Sequence, residues 1–132
     1  MAKGEEPKPS IDGLTIVPTS SKNFLRAWLE VMRPLHGLTQ KEMDFAAILL
    51  QFRYDIAKKV SDPAMVDTIL FDKEKKEEIA NAAGISQSYM KMFLKRLRAN
   101  GVIEGKRISL KYLPDWTPGK PFRWLFVFEN EL

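Results

Sequence analysis

The chain has 132 residues, of which 45% are hydrophobic and 11% aromatic, and this suits one compact domain with a tail or a short arm. The absence of cysteine excludes disulfide bonds, thiolate metal sites and a cysteine nucleophile. Residues 1–10 lack the apolar stretch of a signal peptide and no apolar run approaches the roughly 18 residues of a membrane helix, so we expect a soluble protein with no membrane partner.

The positive charge is concentrated in one part of the chain. The formal net charge is +4, and in residues 85–123 the basic side chains far outnumber the acidic Glu104 and Asp115. A local positive field attracts polyanions even when the total charge is modest. The pattern therefore indicates nucleic-acid binding, although a solvated basic surface without a partner produces it as well.

The N-terminal part is predicted to contain a tail and an arm. Residues 1–12 are polar and contain prolines, which indicates a flexible tail. Residues 14–17 are apolar and end at a proline, which suits an edge strand or an extended arm. Residues 13–38 are predicted to form this arm and one helix.

That helix is predicted from a cap and a periodic pattern. Ser21 is the expected N-cap, and apolar residues including Trp28 follow it at helical spacing. Pro34 and Gly37 are expected to stop the helix.

A capping box begins the next helix. In the sequence from Thr39 to Glu42, the threonine oxygen can accept a free N–H while the glutamate reaches back to the first residue. Apolar residues on more than one side predict a long, buried helix that ends near Lys59. Beyond it, residues 68–71 are short, β-branched and apolar, which predicts a strand, and Asp72 is expected to cap the following helix.

Residues 76–99 have the pattern of a helix-turn-helix. Gly84 suits a turn with a left-handed backbone, and Ser86 suits the cap of the second helix. The apolar residues of that helix lie within one arc: Met90, Phe93, Leu94 and Leu97. The pattern resembles the helix-turn-helix of winged-helix proteins, which include bacterial and phage transcription regulators and replication initiators. The resemblance covers residues 39–129.

The resemblance implies a mainly α fold with a small antiparallel β-sheet (α+β), that is, a winged helix-turn-helix over residues 39–132 with an extra N-terminal helix. Alternating residues in 102–113 predict one strand of the wing, and residues 122–128 predict the return strand. A proline-rich loop joins the two. In the family a short early strand, here residues 69–70, usually completes a three-stranded sheet.

The second helix and the wing contain the candidate DNA-binding residues. In winged helices the second helix, here residues 86–99, usually enters the major groove with its N-terminal residues near the base edges. The resemblance therefore implies base contacts by Gln87, Ser88 and Tyr89, while the wing, residues 102–128, contacts the backbone. The cations expected to hold phosphates are Lys91, Lys95, Arg96, Arg98, Lys106, Arg107 and Lys111.

These assignments have structural alternatives. Gln87 and Ser88 are ordinary residues for the first turn of a helix, and Tyr89 can pack along the helix edge. Lys106 and Arg107 can protect a strand edge from aggregation. The second helix contains no acidic residue, however, so its basic residues as a set favour nucleic acid.

A protein-interaction module, such as a structural or assembly component of a phage particle or a larger complex, is the alternative function. Met92 lies on the outer face of the second helix, where it suits a thymine methyl group or a protein surface. Residues 122–128 are apolar on both strand faces and need cover on both, from the first helix or from a second subunit. The candidate interface residues are Trp28, Trp116, Trp124 and Phe126.

The sequence gives no indication of an enzyme. His36 is the one histidine, and a second histidine or a cysteine for a zinc or nucleophile–base site is missing. We therefore expect a DNA-binding regulator or replication-associated factor of bacterial or phage type, without a cofactor or metal. Its expected partners are double-stranded DNA, a second copy in a dimer, and a protein reached through the N-terminal arm or the wing. The expected location is the cytoplasm, or the virion under the assembly hypothesis.

Overall fold

A computed structural model describes residues 10–11, 14–15, 20 and 23–123. Side chains are described for residue 20 and for residues 23–123. This part of the chain is mainly α-helical and contains two small antiparallel sheets. Its elements are β1 (Ser10–Ile11), β2 (Leu14–Thr15), α1 (Phe24–Val31), α2 (Arg33–His36), α3 (Gln40–Ala57), α4 (Pro63–Leu70), α5 (Lys73–Ala83), α6 (Gln87–Ala99), β3 (Ile103–Glu104), β4 (Arg107–Ile108) and a 3-10 helix (Leu110–Tyr112).

A short hairpin precedes the helices. Ser10 pairs with Thr15 and Ile11 pairs with Leu14, in antiparallel register. β2 agrees with the edge-strand alternative for residues 14–17. β1 lies within residues 1–12, the predicted tail. The predicted cap Ser21 lies outside the described residues.

The first helical segment is interrupted at Met32. α1 ends at Val31, and Pro34 lies in the first turn of α2, where a missing N–H costs little because that group has no helical partner. The Trp28 helix therefore ends before Pro34, as predicted, and the proline lies in a second, short helix that the sequence pattern did not predict. Gly37, with φ of 63°, ends α2 as predicted. The buried His36 ring accepts a hydrogen bond from the Leu38 N–H (3.0 Å), and its other nitrogen lies 2.8 Å from the Leu29 oxygen, so His36 has a structural role.

α3 is the central helix of the described domain. Both bonds of the predicted capping box are present, since the Glu42 N–H donates to Thr39 Oγ1 (3.2 Å) and the Thr39 N–H donates to Glu42 Oε1 (3.0 Å). The helix packs against α1, α4, α5 and α6. Residues such as Leu49 and Leu50 are fully buried, which agrees with the prediction of burial on more than one side.

Residues 68–71 do not form the predicted strand, because a helix begins before them. The Asp62 side chain accepts a hydrogen bond from the Ala64 N–H (3.1 Å), and Pro63 starts α4. Thr68, which favoured a strand through its branched side chain, donates from Oγ1 to the Ala64 oxygen (3.0 Å). The cap and the burial of Leu70 therefore outweigh strand propensity, which is strongly context-dependent.

α5 and α6 are joined by a short turn with the predicted geometry. Asp72 caps α5 through the Lys75 N–H (2.8 Å), and Ser86 caps α6 through the Tyr89 N–H (3.2 Å). Gly84 has φ of 68°, in the left-handed region that glycine adopts without a steric penalty. The three predicted local features are confirmed.

The hairpin after α6 is much shorter than predicted. Residues 102–113 fold back on themselves, so that Ile103 pairs with Ile108 and Glu104 with Arg107 around a turn that starts at Gly105, with φ of 63°. Positive φ at this position is typical of tight two-residue hairpin turns. In the described residues the sheet has two strands and not three. Of the predicted return strand, Phe122 and Arg123 are irregular and residues 124–128 lie outside the described part.

Aromatic side chains close the core between α1, α3 and the segment after the hairpin. Trp28 is 6% exposed and donates from Nε1 to the Tyr112 oxygen (3.2 Å), so it is a core residue and its assignment to an interface is wrong. Phe122 packs edge-on against Trp28, with ring centroids 5.5 Å apart, which agrees with cover from the first helix. Trp116 stacks on Phe24 of α1, with ring centroids 5.1 Å apart. Trp124 and Phe126 lie outside the described residues.

Candidate nucleic-acid interface

The core contacts of α6 determine which of its faces reaches solvent. Met90, Leu94 and Leu97 are buried, and Phe93 stacks on Phe45 of α3 with ring centroids 5.3 Å apart. At about 100° per residue, the opposite face is centred on Ser88 and the positions one and two turns further on. This face is open to solvent along the whole helix.

The predicted base-reading residues lie together at the exposed N-terminal end of α6. Gln87 and Ser88 are exposed, and their side chains have no hydrogen bond within the described part of the chain. Tyr89 is 57% exposed, although one side of its ring stacks on Phe93 at 6.4 Å. Met92, one turn later, is 48% exposed. The polar and apolar contacts expected of these residues are therefore sterically available.

Three of the predicted phosphate-binding lysines have free charges. Lys91 and Lys95 lie on α6, Lys106 lies in the hairpin turn, and all three are exposed. Within the described residues none of them forms an ion pair. An exposed ammonium group without a counter-charge keeps its full electrostatic attraction for a polyanion, apart from screening by salt.

Arg98 links α6 to the hairpin. Its Nε lies 3.5 Å from the backbone oxygen of Gly105, at the limit of a hydrogen bond, and its guanidinium remains exposed. Since Lys106 follows Gly105 directly, this contact places the hairpin turn beside the C-terminal half of α6. We call Lys91, Lys95, Arg98 and Lys106 the cationic edge.

Arg96 differs from the other cations of α6 because it forms an ion pair within the described residues. Its Nε donates to Glu42 Oε2 at 2.9 Å, which joins α6 to the capping box of α3. Burial alone raises the pKa of Glu42, but the hydrogen bonds with Arg96 and Thr39 and the Arg96 charge outweigh it and hold the pKa below its usual value. The carboxylate is therefore ionised at neutral pH and compensates the charge of Arg96.

The two remaining predicted cations are also engaged. Arg107 lies 3.4 Å from Glu104 across the hairpin turn, and both side chains are about half exposed. Lys111 was predicted to lie in the first strand of the wing, and this is wrong because it lies in the 3-10 helix, with its ammonium 5.7 Å from the centroid of the Tyr112 ring. Lys111 therefore lies in a different structural element from the four residues of the cationic edge.

A buried ion pair anchors the hairpin to the helices. Arg53 of α3 donates from Nε to Asp67 Oδ1 of α4 (2.9 Å), and its Nη2 lies 3.4 Å from Oδ2. The same Oδ1 lies 3.4 Å from the backbone nitrogen of Ile108. The Ser109 N–H donates to the Val102 oxygen (2.8 Å). Because successive N–H groups along an antiparallel strand point to opposite sides, the Ile108 N–H points away from β3.

Asp67 thus supplies the acceptor that a third strand would otherwise provide at this edge. Because residues 68–71 were predicted to form a strand, this role of Asp67 was not predicted. The signal that could have revealed it is Asp62-Pro63, a typical N-cap followed by a first-turn proline.

Comparisons with known proteins identify no relative. The chain matches no protein-family model, and neither the curated proteins nor the solved structures give a significant match. Among the described residues, no helix is long and apolar enough to cross a membrane. The same residues contain no group of three or more histidine or acidic side chains placed to hold a metal ion.

Proposed function

We propose that the protein binds double-stranded DNA through α6 and the hairpin β3–β4, in the manner of a winged helix-turn-helix. The observation that carries this proposal is the cationic edge, because it combines unpaired charges on an exposed helix with one in the adjacent hairpin turn. DNA affinity depends largely on contacts between such cations and phosphates. A role in transcription regulation or replication, and a dimeric state, belong to the same proposal.

The docking geometry follows from the exposed face of α6. With its N-terminal end in the major groove, Gln87 and Ser88 approach the base edges, where glutamine suits adenine and serine discriminates weakly. Met92 then faces the same groove and suits a thymine methyl group. Lys91, Lys95 and the hairpin contact the backbone, so they supply affinity and register without reading sequence.

A charge-matched pair of variants tests this interface. We expect Lys91→Ala/Lys95→Ala to weaken binding to any duplex and to reduce the slope of log K against log salt by about 1.8, since each lost phosphate contact removes about 0.9. The control Lys58→Ala/Lys59→Ala also removes two charges, but at the C-terminal end of α3, roughly 20 Å along the helix from the Phe45 contact with α6. Equal effects of the two double variants would show that α6 is not the contact surface.

A protein-interaction module is the second candidate. It is favoured by the exposure of Tyr89 and Met92 on α6 and by an open depression of about 260 Å³ beside Trp116. The depression is lined by Gln51, Tyr54, Ala57, Lys58, Trp116, Thr117 and Pro118. Light scattering after size exclusion separates the two candidates, because a stable high-order assembly without DNA affinity supports the second and a dimer that binds DNA supports the first.

A further inference from the structure

The carboxylate of Glu42 connects two functions of the described domain. Its Oε1 closes the capping box of α3 by accepting the Thr39 N–H (3.0 Å), and its Oε2 accepts from Arg96 Nε (2.9 Å). The Glu42 side chain is 11% exposed, while that of Arg96 is 49% exposed. The carboxylate is therefore fixed from two sides, and it holds a guanidinium that borders the proposed DNA-binding face.

The ion pair divides the exposed surface of α6 into two electrostatically different halves. On a helical wheel, Arg96 and Tyr89 lie on one flank of the outer face, while Lys91 and Arg98 lie on the other. On the Lys91 flank, neither Lys91 nor Arg98 forms an ion pair within the described residues. On the Arg96 flank the charges cancel, because Glu42 is the described ion-pair partner of Arg96.

We propose that Glu42 neutralises Arg96 and so restricts the phosphate contacts of α6 to the cationic edge, which keeps DNA affinity below the value that the basic residues alone would give. This inference rests on the proposed DNA binding and adds a residue that limits it. Its opposite is a positioning role, in which Glu42 orients Arg96 so that the free end of the guanidinium grips a phosphate.

Three variants form a charge series that separates these roles. Glu42→Gln keeps the capping box, since glutamine also serves at this position, and gives the Arg96 flank a net positive charge. Arg96→Ala leaves a bare carboxylate and a net negative charge. The double variant Glu42→Gln/Arg96→Ala is neutral, as is the wild type. We measure binding of a labelled duplex by fluorescence anisotropy across a salt series.

If Glu42 neutralises Arg96, the order of DNA affinity among the variants follows the net charge on the Arg96 flank. Glu42→Gln binds about two- to fivefold tighter than the wild type, the size expected for one exposed charge contact. Its salt slope steepens by up to about 0.9. Arg96→Ala binds more weakly by a similar factor, and the neutral double variant binds like the wild type with an unchanged slope.

Other outcomes overturn the inference. If Glu42 positions Arg96, then Glu42→Gln and the double variant both bind more weakly than the wild type. Asp44→Asn is the control for net charge, since Asp44 is paired with Arg26 of α1 (2.7 Å) and not with α6. An equal gain in this control shows that overall charge, and not the Glu42–Arg96 pair, sets the affinity. If the wild type and all variants fail to bind DNA, the proposed function itself fails.

Discussion

Removing the carboxylate of Asp67 tests the anchoring of the hairpin. Asp67→Ala takes away both contacts with Arg53, at 2.9 and 3.4 Å, and the acceptor near the Ile108 N–H. The side chains of Arg53 and Asp67 are only 11% and 10% exposed, so water compensates little of the loss. Breaking a buried pair by removing one partner costs about 3–5 kcal/mol, because it leaves an uncompensated buried charge.

The loss is large compared with the stability of a domain, which is about 5–15 kcal/mol. For a domain of this size each kcal/mol lowers the melting temperature by roughly 3–5 °C, so we expect a decrease of about 10–25 °C. Urea unfolding measures the free energy directly, and calorimetry measures the melting temperature. Amide exchange of Ile108 reports the hairpin separately, and it should accelerate more than that of Leu49 in the central helix.

Two controls separate charge from shape. Asp67→Asn retains an acceptor for the Ile108 N–H but not the charge that compensates Arg53. Most of the loss of about 3–5 kcal/mol expected for Asp67→Ala should therefore remain in this variant. The double variant Arg53→Met/Asp67→Leu removes both charges, and we expect it to recover most of the stability since apolar replacements of buried pairs are often neutral. A cost below about 1 kcal/mol for Asp67→Ala, the range of an exposed pair, would refute the reasoning.

Two further predictions concern the turn before α6 and the pH dependence of stability. Gly84→Ala should cost about 1–2 kcal/mol in urea unfolding through backbone strain alone, because φ is 68° and an added Cβ meets nothing within 4 Å. Gly84→Asn should cost less, since asparagine tolerates this conformation, and equal costs would argue against strain. Because the folded pKa of Glu42 is lowered, its ionisation stabilises the fold fully above the unfolded value of 4.5, and this contribution is lost as the pH falls through the folded value. The stability difference between wild type and Glu42→Gln should therefore shrink on acidification, and a growing difference would contradict the assigned direction.

Local capping signals made much of the helical framework predictable. Thr39, Asp72, Gly84 and Ser86 fix helix ends through contacts within a few residues, so the sequence contains nearly all the information needed. The apolar arc of α6 was predictable for the same reason, since helical spacing places its members on one face.

The parts that depend on distant residues were not predictable in the same way. The strand prediction for residues 68–71 used side-chain propensity, whereas the cap at Asp62 and the packing of α4 decide the structure. Arg96 was assigned to DNA with the other cations because its partner Glu42 is 54 residues away in the chain. Trp28 was assigned to an interface because its acceptor, the Tyr112 oxygen, is 84 residues away.

The central claim is that the cationic edge binds DNA, and a salt titration of the unmodified chain tests it most directly. The measurement is the fluorescence anisotropy of a labelled random-sequence duplex at several salt concentrations. Four phosphate contacts, one for each member of the cationic edge, predict a slope of log K against log salt of about −3 to −4, with micromolar or tighter binding at low salt. Failure to bind at low salt, or an affinity independent of salt, would contradict the claim and favour the protein-interaction function.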